Sequence, residues 1–156
     1  MSMTWQDFWT LRVNDRLRQW TDFRQQLDKL PFDLALVELN EMWSSAPQVN
    51  YALDQSSNKN WPTPWELLAE TNYCTIAKAL GIMYTIYFTR HRSTDVELRV
   101  YYNYDDKERH AVAWFKGGEY ILNYWPFEIV NTKQIQEKQL KLLYQYTSKD
   151  LKLESY

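Results

Sequence analysis

The chain has 156 residues, a formal net charge of -2 and one cysteine. That length gives a single domain with a sizeable core. The charge balance supplies no global field for nucleic acid, and a lone cysteine excludes an internal disulfide and a cysteine-rich zinc site. Eight Trp, twelve Tyr and six Phe make the chain too aromatic for disorder. The opening stretch, MSMTWQDFWTLRVND, has neither a basic n-region nor an apolar h-region, so a cytoplasmic location is expected.

Residues 1–45 read as a helical N-terminal part of one domain covering 1–156. Thr4 is placed to cap a short helix carrying Trp5, Phe8, Trp9 and Leu11. A second helix starts near Asn14 or Asp15, with Leu17, Trp20, Phe23, Leu27 and Leu30 at helical spacing and Arg16, Arg18, Arg24 and Gln25 on its other face. A third, about Asp33 to Trp43, carries Leu34, Val37, Leu39, Met42 and Trp43 and stops at Ala46-Pro47. Gln48 to Asn60 is a polar loop held by Val49, Tyr51 and Leu53.

The core is expected over 61–125. Thr63 caps a short helix with Pro64 at its first position. Asn72 then caps a central helix, Tyr73 to Thr89, that is apolar on every side with Lys78 as its one charge. Such a helix is buried, and its length, with Lys78, Thr85 and three tyrosines, argues against a membrane span. Beyond Arg90 the period changes to two. VELRVYY, RHAVAWFK and EYILNYW read as strands, with Gly117-Gly118 as a tight turn between the last two, and Phe127 to Val130 as a short fourth. Asn131 or Thr132 caps a last helix with Ile135, Leu142, Leu143 and Tyr146 as its apolar stripe. Residues 148–156 form a polar tail. The expected class is therefore α+β: a central buried helix on an antiparallel sheet, with N-terminal helices and a C-terminal helix.

Three residues carry candidate chemistry. Cys74 lies in the first turn of the central helix, where the helix dipole favours a thiolate; a lone cysteine is otherwise a small buried hydrophobe. If Gly117 and Gly118 are the two turn residues, Lys116 pairs with Glu119, Val112 with Asn123 and His110 with Trp125. His110 and Asn123 then share a face as diagonal neighbours, roughly 7–8 Å apart. An asparagine carbonyl there can fix one imidazole nitrogen and leave the other for a thiol. Taken singly, His110 reads as an exposed edge histidine and Asn123 as an amide satisfying a backbone group. His91, between Arg90 and Arg92, reads as a solvated loop histidine.

These residues resemble the transglutaminase-like superfamily of papain-type cysteine enzymes, and within it the bacterial transglutaminase-like cysteine peptidases, over roughly Leu39 to Tyr124. Asn40 and the Tyr51…Asp54 pair resemble upstream family positions, and Trp61-Pro-Thr-Pro-Trp-Glu66 resembles a Trp-x-Thr-Pro-x-Glu lead-in to the nucleophile. Cys74, Ala77-Lys78, His110-Ala111 and Gly118-Glu119-Tyr120-Ile121-Leu122-Asn123 follow in the family's order. The resemblance implies a Cys74–His110–Asn123 triad acting on an amide or ester of a protein or peptide, with the Cys74 N–H helping to hold an oxyanion and no cofactor. The family's Gly-Asp-Cys-Glu-Asp-Tyr is replaced by Asn72-Tyr73-Cys74-Thr75-Ile76. The missing acids speak against the calcium site some members carry, so no metal is expected. Trp61, Trp65, Trp114 and Trp125 are candidate cleft walls, with core packing the better reading for at least half of them.

WPTPWELL and VELRVYYNYDDKERH also resemble a small family of proteins from large tailed bacteriophages. The alternative is a different class of function, a catalytically silent domain, such as a phage product, that binds and inhibits or redirects a host protein through aromatic hot spots, and the altered flanks of Cys74 favour it. Single-strand nucleic-acid binding needs a basic groove, and Arg90-His91-Arg92 with Lys138 and Lys141 is too small a cluster.

Overall fold

The computed structural model describes residues 3–93, 95–135 and 139–156. Helices α1 (Trp5–Thr10), α2 (Val13–Asp28), α3 (Phe32–Ser44), α4 (Pro64–Leu68) and α5 (Thr75–Tyr87) precede strands β1 (Val96–Asn103), β2 (Glu108–Phe115), β3 (Tyr120–Trp125), β4 (Glu128–Val130) and β5 (Leu140–Thr147). The strands form one antiparallel sheet in the order β4-β3-β2-β1-β5. No helix among the described residues is long and apolar enough to cross a membrane.

Local chemistry sets the helix starts. Thr4 and Asp7 form a reciprocal capping box at α1, and Thr63 and Glu66 form another at α4, where Pro64 occupies the first position. Helix α5 is the hub. Every residue from Ile76 to Ile86 is buried, between α2, α3 and α4 on one side and the inner sheet face (Leu98, Val100, Ala111, Ala113, Leu122) on the other. Its Thr85 is polar for a reason. The Thr85 hydroxyl accepts from Trp20 Nε1 and Trp43 Nε1, both at 3.1 Å, and donates to the Gly81 carbonyl at 2.7 Å. One hydroxyl thus satisfies two indoles that would otherwise be buried without partners. The outer sheet face carries a second cluster of Tyr101, Val112, Trp114, Ile121, Tyr124, Val130 and Ile135.

Several expectations need correction. Arg16, assigned to a solvent face, is 4% exposed and donates to four backbone carbonyls. Leu34 and Val37, assigned to the core stripe of α3, are exposed, and Ala35, Leu36 and Leu39 face inward. Tyr51 is exposed and does not hold its loop; Val49 does, donating its N–H to the Tyr73 carbonyl at 3.0 Å. His91 is half-buried against Phe32, with Nε2 3.0 Å from the Leu27 carbonyl.

The C-terminal helix expected from Asn131 or Thr132 is, over Leu140–Thr147, instead strand β5, and its part at 136–138 lies outside the described residues. Leu140-Lys-Leu-Leu-Tyr-Gln-Tyr-Thr147 is apolar enough at both periods. The open edge of β1 decides, since paired backbone and half-buried tyrosines suit a strand. Nor is 148–156 a polar tail: Leu151 and Leu153 are buried in the main core.

The buried tyrosines make stability sensitive to alkali. Burial raises the phenol pKa of both Tyr73 and Tyr84, whose hydroxyls donate to carbonyls of Leu67 and Glu70 and of Pro62. Above pH ~10 the unfolded chain loses these protons while the folded chain keeps them. Stability is then expected to fall with rising pH, by up to about 1.4 kcal/mol per pH unit for each tyrosine. Lys78, its pKa lowered by burial, has the opposite sign: it contributes rising stability from its folded pKa up to the unfolded value near 10.5. Urea melts between pH 8 and 11.5 on the wild type and on Tyr73→Phe/Tyr84→Phe check this. A curve unchanged by the double substitution removes the assignment to these two phenols.

Candidate active site

Cys74 is the N-cap of α5, two residues later than the cap expected at Asn72. Its place is fixed from the preceding residue. The Tyr73 N–H donates to the Pro47 carbonyl at 2.8 Å, and the Tyr73 ring packs edge-on against Trp9 and Trp43. Unlike α1 and α4, helix α5 has no side chain capping its first-turn N–H groups. Cys74 is 3% exposed, and no hydrogen bond joins its sulfur to His110.

The β2–β3 hairpin begins in the expected register: Phe115 opposite Tyr120, Trp114 opposite Ile121, Ala113 opposite Leu122. Lys116 and Gly117 take left-handed conformations in the turn, and Gly118 has φ 91. The ladder then stops, and the pairs expected for Val112–Asn123 and His110–Trp125 are not formed. Asn123 has φ 73, a left-handed conformation that asparagine tolerates better than most residues. This puts a bulge in β3, so that Ile121 and Tyr124 both join the outer cluster.

The bulge turns the Asn123 amide toward α5. Its Nδ2 donates to the Thr75 carbonyl at 2.8 Å and to the Ala111 carbonyl at 2.9 Å. One amide thereby ties the residue after Cys74 to the residue after His110. Both its hydrogens go to backbone groups, and Asn123 makes no hydrogen bond to the imidazole. The His110 ring is held elsewhere. It stacks on Tyr124 with centroids 4.5 Å apart, and Nδ1 lies 3.3 Å from the Tyr124 carbonyl. Nε2 lies 2.7 Å from Asp106 Oδ2. Both partners are acceptors, so both contacts are hydrogen bonds only when the ring carries two protons.

Asp106 is the residue that sequence reasoning missed. Within NYDDKE, Asn103 Oδ1 accepts from the N–H groups of Asp105 and Asp106, and Lys107 is left-handed. That tight turn folds Asp106 back over His110. The signal was the Asx-turn chemistry of Asn-Tyr-Asp-Asp.

His110, Asn123 and Thr75 line one cleft of roughly 700 Å³, together with Lys78, Asp106, Glu108, Arg109 and Trp125. Of the four tryptophans, Trp125 lines it. Trp61 packs on Tyr146 and donates to the Asp54 carbonyl. Trp65 stands exposed beside Phe88 and Tyr156. Trp114 is buried in the outer cluster against Tyr101 and Arg99. These three ring positions are set by core and surface packing away from the cleft.

Around Cys74 the neighbours Asn72, Tyr73, Thr75 and Ile76 offer no carboxylate, a poor donor set for calcium, which takes several oxygens including carboxylates. Elsewhere in the cleft, Asp106, Glu108 and His110 each bring one possible ligand atom within 4.8 Å of the others.

No known family profile matches the chain, and no curated protein matches it in sequence. Solved structures do match. Legionella pneumophila LapG superposes with a TM-score of 0.72 at 15% identity, over 94% of this chain and 83% of that one. Its calcium-bound form gives 0.71 at 15% identity over 92% and 84%, and its EGTA-treated form gives 0.72 at 15% identity over 94% and 83%. At that identity the likeness speaks to architecture: the chain has the transglutaminase-like α+β fold that LapG has.

Proposed function

We propose that this protein is a transglutaminase-like cysteine hydrolase, a peptidase or amidase, with acyl transfer to an amine as the variant reaction. One observation carries the reading. The Asn123 amide clamps Thr75 and Ala111, so the backbone next to the N-cap cysteine is tied to the backbone next to His110, and Thr75 and His110 line the cleft while Cys74 lies behind Thr75, outside the lining. LapG, whose fold the chain shares, is a bacterial transglutaminase-like cysteine protease.

In this reading the Cys74 thiolate attacks the substrate carbonyl, and His110 holds the thiol proton and later delivers it to the leaving group. The uncapped N–H groups at the start of α5 face the developing oxyanion. Asn123 positions the site through the backbone. Asp106, at the ring's Nε2, holds His110 in the way the sequence had assigned to Asn123. Nδ1, with the longer contact to the Tyr124 carbonyl, is the nitrogen that turns to the thiol.

The test is alkylation of Cys74 by iodoacetamide in the folded protein, followed by hydrolysis of labelled casein. The wild type is expected to alkylate at pH 7 faster than free cysteine, and His110→Ala to lose that advantage. Cys74→Ala and His110→Ala are each expected to lower hydrolysis by about a thousandfold or more. Alkylation only after denaturation would overturn the reading. It would favour the second one, a catalytically silent protein-binding domain, to which a cysteine 3% exposed and a histidine facing an acceptor at each ring nitrogen also point.

A further inference from the structure

Lys78 is the one charge on α5, one helical turn beyond Cys74, whose carbonyl accepts the Lys78 N–H at 3.1 Å. The side chain is 7% exposed and lines the cleft. Among the described residues its ammonium has no carboxylate, carbonyl or hydroxyl partner. Of the other charged groups that line the cleft, Asp106 and Arg109 are already engaged, and Glu108 is exposed. Asp106 holds His110, and Arg109 donates to Gln55 Oε1 at 3.0 Å and sits over the Tyr144 ring. Burying an ammonium without a partner is costly, and a lysine that only needs its stem covered normally carries its head out to water. Here Lys78 is almost wholly covered and lines the cleft.

We propose that the cleft receives a carboxylate on the Lys78 ammonium, which makes the substrate an acidic peptide. The spacing sets where the acid sits. One turn of α5 separates Lys78 from Cys74, about 5–6 Å along the helix, so the carboxylate lies within about a residue of the carbonyl presented to the thiol. An arriving carboxylate supplies the ammonium with its missing charge-assisted hydrogen bond. Burial also lowers the Lys78 pKa, and a bound anion would raise it again. The acid is either an Asp or Glu side chain or a chain-terminal carboxylate. The inference rests on the acyl-transfer reading for the role of the site, but not for the binding itself.

Binding is therefore measured in Cys74→Ala, where no covalent step occurs, by titration calorimetry with two matched pairs of blocked peptides. One pair is N-acetyl-Ala-Glu-amide against N-acetyl-Ala-Gln-amide. The other is N-acetyl-Ala-Ala with a free carboxylate against its amide. At least one pair is expected to discriminate by about tenfold or more in favour of the acid, and the pair that does so identifies the source of the carboxylate. Adding Lys78→Met is expected to erase the preference and to raise the thermal midpoint, because an unpartnered buried charge is gone. Equal binding within both pairs, or a preference that survives Lys78→Met, overturns the proposal. Either result leaves the reactivity of Cys74 to be judged by its own alkylation test.

Discussion

Arg16→Met is expected to cost about 4–6 kcal/mol, enough to bring a domain of this size close to unfolding. The guanidinium works as a double helix terminator. Nη2 donates to the Trp9 and Leu11 carbonyls at 2.9 and 3.1 Å, at the end of α1, and Nη1 donates to Leu68 and Glu70 at 2.9 and 2.7 Å, at the end of α4. The last carbonyls of a helix have no partners within it and carry the negative end of its dipole. Methionine fills the volume but leaves the Trp9, Leu11 and Leu68 oxygens without the guanidinium and Glu70 with only its bond from the Tyr73 hydroxyl, at about 1–3 kcal/mol for each that stays buried without a partner. Arg16→Lys keeps the charge with three donors on one nitrogen, which cannot span both helix ends, and is expected to recover less than half of the loss. The midpoint should drop by roughly 10–20 °C for Arg16→Met. A loss under about 1 kcal/mol would sink this account, since that is the range of ordinary surface changes.

Gly81→Ala is the second large effect, and here two principles disagree in sign. In a free helix the substitution gains about 1 kcal/mol. In this protein the new methyl carbon would lie 2.3 Å from Cη2 and Cζ2 of Trp43 and 2.5 Å from Cε2. The indole has nowhere to go. Its Nε1 is held by Thr85 one turn along, and its ring is packed between Trp9 and Tyr73. Overpacking against a rigid ring outweighs propensity, and a net loss of about 2–4 kcal/mol is expected. Chemical denaturation reads it directly, and a stabilised Gly81→Ala would mean that α5 and α3 can separate without penalty.

Both effects bear on what the sequence could disclose. The apolar run around Lys78, the alternation of VELRVYY and the Gly117-Gly118 turn each point to one local structure, and α5, β1 and the first three pairs of the hairpin follow from them. Arg16 was misplaced because helical spacing puts it beside Arg18 on a polar face, while its partners are backbone carbonyls, which have no sequence signature. The last helix failed for a related reason. Residues 140–147 fit two periods, and the choice was made by an unpaired edge on β1, a strand some forty residues earlier. In the site, Cys74, His110 and Asn123 were legible as residue types in order. The bond between Asp106 and His110 was not, because a left-handed Asn123 cancelled the register from which the ring's partner was inferred.

The placement of β5 beside β1 also imposes an order on assembly. Strands β1 to β4 follow one another as a meander, each pairing with a near neighbour in the chain. β1, however, keeps one edge open until Leu140–Thr147 arrives to pair with it. During synthesis the helical layer, α5 and four strands can therefore condense while that edge is bare, and an exposed strand edge invites pairing with another chain. Completion of the sheet and protection of the nascent domain from self-association are then the same event, and it comes after the other four strands have been made.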